Sequence, residues 1–350
     1  MTIRISNRTA VVLLAASMLC IPAIVHAGST WEHKATMPVR LGETNATTDG
    51  ASVYVVGGTE QDADNSPPKD ATNLVLKYDP SANSWSKLAP LPQALSHVGT
   101  AVLGGKLYAI GGFTTNVHLG PSSGAFVYDP ATNAWSNLPP LLPARGSVSL
   151  AAVGGKIHAF GGRISDKVID LPMPPGAPPM KAGYGTVSLH QVYDPAHKSW
   201  SEAAPVPGPA RDHMAIAVLD GKIHLFGGRL ADTDDNQTRH DVYDPATDRW
   251  SEAAPLPGPR SAGAAAVIGG RIIFTGGECK PDGAPGSENA YSDAWSYDPA
   301  KNEWQAITSI PHARHGFGGA TIGDTAYFAG GAPTCGGGML NELLSLKLAQ

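Results

Sequence analysis

Residues 104–112 read GGKLYAIGG: a glycine pair, an apolar run from Lys106 to Ile110, and a second glycine pair, Gly111-Gly112. A leading Gly-Gly accepts the positive φ angles of a tight hairpin. The apolar run between two turn signals reads as a buried strand, and the closing pair marks a place where a side chain would obstruct a neighbouring sheet or the turn out of the strand. The pattern recurs at 49–58, 154–162, 220–228, 269–277 and 323–331, so the closing pairs are Gly57-Gly58, Gly111-Gly112, Gly161-Gly162, Gly227-Gly228, Gly276-Gly277 and Gly330-Gly331. Successive pairs lie roughly 50 to 65 residues apart, the spacing of propeller blades.

Working outward, five of the six pairs are followed by Tyr-Asp-Pro, at Tyr78, Tyr128, Tyr193, Tyr243 and Tyr297, and then by Trp85, Trp135, Trp200, Trp250 and Trp304. Proline presets φ in a turn and aspartate bonds nearby backbone, so each Tyr-Asp-Pro joins two further strands. From Trp31 to Leu348 these motifs resemble the kelch repeat. The resemblance implies an all-β, six-bladed kelch β-propeller with four antiparallel strands, a to d, per blade. Strand a, rich in Gly and Ala around Gly99, Ala262 and Gly316, is expected at the axis, and the tryptophans are expected to fill the wider gaps between blades. Trp31 opens the chain after residue 27 with a strand d lacking its a, b and c, whereas Leu343 to Leu348 end it with a strand c lacking its Trp. The N-terminal strand is therefore expected to complete the last blade and remove the open edges. Residues 28–350 form a single domain on this reading.

Residues 1–27 read as a signal peptide: Arg4 and Arg8 precede an apolar run from Ala10 to Ile24 that ends at Val25-His26-Ala27. An exported protein, periplasmic or extracellular, soluble and monomeric after cleavage, is the expectation. Loss of Arg4 and Arg8 leaves 23 basic and 30 acidic side chains, a net charge of −7, which argues against general nucleic-acid binding. Cys279 and Cys335 remain, each just beyond a glycine pair, and an oxidising compartment favours a disulfide between them.

In an up-and-down blade the d–a and b–c connections emerge on one face. Sixteen places before the first Gly of each pair stand Arg145, Arg211, Arg260 and Arg314, with Leu41 and Leu95 in the other two blades; Arg163 and Arg229 directly follow glycine pairs. The expectation is an Arg-bearing mouth that holds an anionic small molecule such as a sugar acid, or an acidic protein segment, through bidentate contacts. The competing reading ties the aligned arginines into the blade walls. His97 and His213 share a register fourteen places before their pairs, with Glu43 in the same register and His315 one place earlier. No tightly spaced metal-ligand motif is present, so neither a metal nor a cofactor is expected, and these histidines read as hydrogen-bonding or solvated groups. The segment 164–188, whose run from Leu171 to Met180 is dense in Pro and Met, reads as a lid or as an insertion without function.

No positioned nucleophile or acid–base pair stands out, which favours a binding module over an enzyme. The alternative is a carbohydrate-active enzyme. Exported sialic acid (N-acetylneuraminate) epimerases are six-bladed kelch propellers with an Arg-rich mouth, and that likeness would give Glu278 and Glu43 acid or base roles. Galactose oxidase-like copper enzymes fit less well, because the chain has no Tyr-His pair and is one blade short.

Overall fold

The computed structural model describes residues 29–64, 66–115, 118–170, 181–230, 235–278, 290–334 and 338–349. Each reading frame set by a glycine pair becomes one four-stranded antiparallel sheet. Blade two shows the pattern. Strand a, Gly99–Leu103, turns at Gly104-Gly105, both at positive φ, into strand b, Lys106–Ile110; strand c, Ala125–Asp129, turns into strand d, Ala134–Asn137. Blade six takes strands a to c from Gly318–Ile322, Thr325–Ala329 and Leu343–Lys347, and its strand d is Thr30–His33, paired with Trp31 opposite Leu346. The closure expected from the two incomplete chain ends is the one observed.

Six clusters of buried apolar side chains fill the six gaps between neighbouring blades. Each strand-d tryptophan stands at the outer edge of a gap and its indole N–H donates to a carbonyl of the preceding blade, as in Trp85 to Ala35 at 2.7 Å, Trp135 to Ala89 at 2.9 Å and Trp31 to Thr308 at 2.8 Å. Burying one large side chain in such a gap contributes about 1.5–3 kcal/mol.

The glycine pairs are the junctions between blades. A Cβ on Gly161 would lie 2.6 Å from the Arg211 carbonyl oxygen of the next blade, and the N–H of Gly162 donates to that oxygen at 3.3 Å. The same carbonyl, one blade on, meets every other pair, and Gly331 closes the circle by donating to Leu41 at 2.8 Å.

The register that supplies these carbonyls holds the four aligned arginines, and their side chains are buried in the blade walls rather than in a mouth. Arg145 donates to the Gly161 carbonyl at 2.9 Å and to Gln191 at 2.8 Å; Arg211 pairs with Asp241; Arg260 pairs with Asp293 at 2.6 Å and stacks on Tyr291; Arg314 donates to the Gly330 carbonyl at 3.0 Å and pairs with Glu342 at 2.5 Å. Leu41 and Leu95 occupy the same fully buried position in blades one and two. Leucine can stand there because the site is interior, and an interior guanidinium requires the partners it has.

Strand b of blades three and four carries a second kind of buried polar group. His190 Nδ1–H donates to the Ala204 carbonyl at 3.0 Å, leaving Nε2 to accept from His158 Nδ1–H at 3.0 Å; His240 and His224 repeat the arrangement with Ala254. Each pair is satisfied as two neutral rings. Burial pulls His158, His190 and His240 down to about 4 and His224 down to about 3.

Two outcomes follow for stability. The unfolded chain takes up protons on these histidines near pH 6.5 and the folded chain resists until about pH 4, so their contribution is complete above 6.5 and is lost as pH falls. The Tm at pH 5 is expected several degrees below that at pH 7, and a His158→Tyr/His190→Ala variant, which imports Tyr108 and Ala125 of blade two, should show a shallower fall. For the walls, Arg211→Leu leaves the buried Asp241 with Arg239 alone, at 3.1 and 2.5 Å, and should cost about 1–3 kcal/mol in chemical denaturation. Arg211→Leu with Asp241→Leu, which matches the apolar pair Leu41 and Leu76 of blade one, should recover most of it.

Candidate functional site

Strands a surround a cavity of about 410 Å³ on the axis. At the end facing the d–a and b–c connections, six residues of one register form its rim: Glu43, His97, Ser147, His213, Ala262 and Gly316. All six have positive φ, between 48° and 62°. Backbone bonds link neighbours around the rim, His97 N–H to the Glu43 carbonyl at 2.8 Å, Ser147 to His97 at 3.1 Å, Ala262 to His213 at 2.9 Å and Gly316 to Ala262 at 2.9 Å. The rim needs no polar side chain, since Ala262 and Gly316 serve in two blades. The charged and imidazole groups of the other blades therefore do something other than close the ring.

Those groups converge. His97, His118 and His213 form a triangle with ring centroids 4.7, 5.0 and 5.1 Å apart. His118 comes from the b–c connection of blade two, and its carbonyl accepts from the Ser165 hydroxyl at 2.6 Å. Asp212 accepts from His213 Nδ1 at 2.8 Å and pairs with Arg163; Arg229 pairs with Glu278 and lies 3.6 Å from Asp212. A terminal nitrogen of Arg229 stands 3.2 Å from His213 Nε2 and 3.3 Å from His118 Nε2. Glu43 Oε2 lies 2.9 Å from His97 Nε2, and Oε1 lies 3.4 Å from His315 Nδ1.

The electrostatics follow from this packing. Burial pushes the Glu43 and Asp212 carboxyls up, but the His97 ring beside Glu43, and the His213 ring with Arg163 and Arg229 beside Asp212, hold both below the usual carboxylate range. Glu278 is held down against burial by Arg229, and Arg229 is in turn held charged by Glu278 and Asp212. Burial and then Arg229 draw His213 down to about 4; burial and then His97 draw His118 well below its ordinary value. Leaving the imidazoles aside, three carboxylates face two guanidiniums among the described residues. The expected concentration of positive charge at the mouth is not what the side chains form, because each arginine there arrives with a carboxylate.

Of the residues singled out beforehand, the structure brings together His97, His213, Glu43, Glu278, Arg163 and Arg229, and it leaves Arg145, Arg211, Arg260 and Arg314 in the walls. His315 borders the site through Glu43, and its Nε2 faces the Thr334 carbonyl at 3.0 Å. Asp212 and His118 went unread. Asp212 carried a signal, because blades two to six have Ser96, Gly146, Asp212, Ser261 and His315 in that register, and it is the carboxylate among them. His118 lies in an insertion with no register. In the segment read as a lid or an insertion without function, the structure has two strands, Arg163–Asp170 and Lys181–Thr186, paired as a hairpin; the Pro- and Met-dense run 171–180 lies outside the described residues. The proposed partners Cys279 and Cys335 lie outside the described residues.

A family model for the Kelch motif matches residues 42–92 and 94–142, and one for the KLHDC2/KLHL20/DRC7 Kelch-repeats domain matches 184–348. Kelch-like protein terF of Aspergillus terreus is 27% identical over 77% of this chain, and Kelch-like protein 25 of Xenopus tropicalis is 28% identical over 80%. The chain spans 55% and 43% of those two proteins. The solved structure of YjhT superposes with a TM-score of 0.69 over 90% of this chain and 99% of that one, at 18% identity. With six blades, a glycine pair at every junction and kelch matches along most of its described length, the chain belongs to the kelch-repeat β-propeller family.

Proposed function

We propose that this kelch propeller is an exported binding protein, and that its mouth on the d–a and b–c face takes an anionic group, from a sugar acid or an acidic protein segment, on Arg229. The observation that carries this reading is the Arg229–Glu278 pair. Glu278 is 14% exposed, while Arg229 is 4% exposed and is also bordered by Asp212. An incoming carboxylate can replace Glu278 on Arg229 while Asp212 remains, with the displaced Glu278 carboxylate, 14% exposed, turning out to solvent so that the buried charge balance is kept.

A second reading, proton transfer on a sugar in the manner of an epimerase, is favoured by one contact. The Asp212–His213 dyad presents Nε2 3.4 Å from the Ser147 hydroxyl at the cavity wall. Such a dyad can relay a proton once a substrate is in place.

Calorimetric titration of metal-stripped protein with a panel of sugar acids and acidic peptides tests the first reading. Arg229→Lys keeps the charge and loses the fork, and should weaken the anion found by about tenfold or more with Tm nearly unchanged. Glu278→Gln removes the internal competitor and should tighten binding. Affinity unmoved by both substitutions would place the ligand elsewhere, and epimerisation of a sugar acid without measurable retention would favour the second reading.

A further inference from the structure

We infer that His97, His118 and His213 constitute a binding site for one divalent transition-metal ion of the zinc, cobalt or nickel type. The inference is independent of the anionic ligand. One ligand nitrogen from each ring falls within 4.8 Å of the others, and His118 Nε2 and His213 Nε2 already face each other at 3.3 Å. Imidazole nitrogens suit this class of ion, binding at about 2.0–2.1 Å.

The surroundings have the features such an ion requires. Asp212 accepts from His213 Nδ1 at 2.8 Å, which fixes the tautomer that aims the Nε2 lone pair inward, as carboxylate–histidine pairs do behind metal ligands. His97 Nε2 is buried and lies 2.9 Å from Glu43, yet it makes no hydrogen bond of acceptable geometry. The nearest fixed cation is Arg229, whose terminal nitrogen reaches the lone pairs of both His118 and His213 at 3.3 and 3.2 Å. The ring pair thus already faces a positive group, and an ion entering from the cavity would take over that role while Arg229 keeps Glu278. Among the described residues three carboxylates stand against two guanidiniums around the triangle, so a cation is tolerated there. The rim position of blade five, Ala262, carries no long side chain, whereas the space over Gly316 is taken by the Glu43 carboxylate, so the side of the triangle toward the cavity is bordered by Ala262 and Glu43.

The search beyond this site leaves less. The pairs His158/His190 and His224/His240 have both inward nitrogens engaged with each other and with carbonyls, and the apolar tip region near Val168 has no described partner surface.

The test uses the full mature protein, stripped with a chelator and titrated with Co²⁺ and Zn²⁺. Expected are one Co²⁺ per chain by elemental analysis, a d–d absorption band that Zn²⁺ abolishes, and a rise in Tm on adding Zn²⁺. His118→Ala, in the b–c connection of blade two and outside its four strands, keeps the backbone carbonyl that Ser165 uses; it should keep the metal-free Tm within a few degrees and weaken Co²⁺ at least a hundredfold. His213→Asn serves as the second variant, with the same loss. Failure of the wild-type protein to hold a stoichiometric ion, or equal affinity in His118→Ala, would overturn the inference. Anion binding by metal-stripped protein would be unaffected by either result.

Discussion

A single backbone contact recurs at every seam of this molecule. The carbonyl oxygen of the residue sixteen places before one blade's glycine pair projects into the preceding blade, where it meets a glycine that has no Cβ and accepts the N–H of the glycine that follows. Arg211 with Gly161 and Gly162 is one instance, and Leu41 with Gly330 and Gly331 is the one that closes the ring. Because the contact uses backbone only, the side chain at the carbonyl-bearing residue is free to vary, and it is Leu in two blades and Arg in four.

The site is a consequence of that seam. Two residues further along, the chain must turn onto the axis, and it does so through a residue of positive φ in all six blades. This turn places six Cα atoms in a tight circle, where short side chains reach the centre. Glu43, His97 and His213 then meet across the axis although they are far apart in the chain, and the carboxylate at the preceding position, Asp212, stands behind His213. Burial does the rest: ionised groups can persist there only with counter-ions within reach, which is why Arg163 and Arg229 come with Asp212 and Glu278. The polar cluster is a closed electrostatic unit, and a ligand enters it by exchange.

The fold could be read almost entirely in advance, because the glycine pairs, the Tyr-Asp-Pro turns and the tryptophans each answer to one backbone or packing requirement that repeats. Register also located Glu43, His97 and His213 on one circle. It failed for the aligned arginines, since register fixes where a Cα lies and not which way a long side chain runs; Leu41 and Leu95 at the same position were the sign that the place is interior. It could say nothing of His118, which reaches the axis through a connection peculiar to blade two, or of the hairpin strands Arg163–Asp170 and Lys181–Thr186, whose alternation is too weak to stand out beside a Pro-rich run of sequence. Long-range placement of that kind depends on tertiary contacts such as Ser165 with the His118 carbonyl, and no local pattern carries it.

The seam can be tested inside a single blade. Gly161 and Gly154 have nearly the same backbone conformation, φ +57° and +60°, yet a Cβ on Gly161 meets the next blade's carbonyl at 2.6 Å and a Cβ on Gly154 meets nothing within 4 Å. Alanine at either position incurs the left-handed strain of about 1–2 kcal/mol. The measurement is the unfolding free energy of Gly161→Ala beside Gly154→Ala. Gly154→Ala should lose only that strain and stay cooperative, whereas Gly161→Ala should lose several kcal/mol more or fail to fold; equal losses in the two variants would contradict the account.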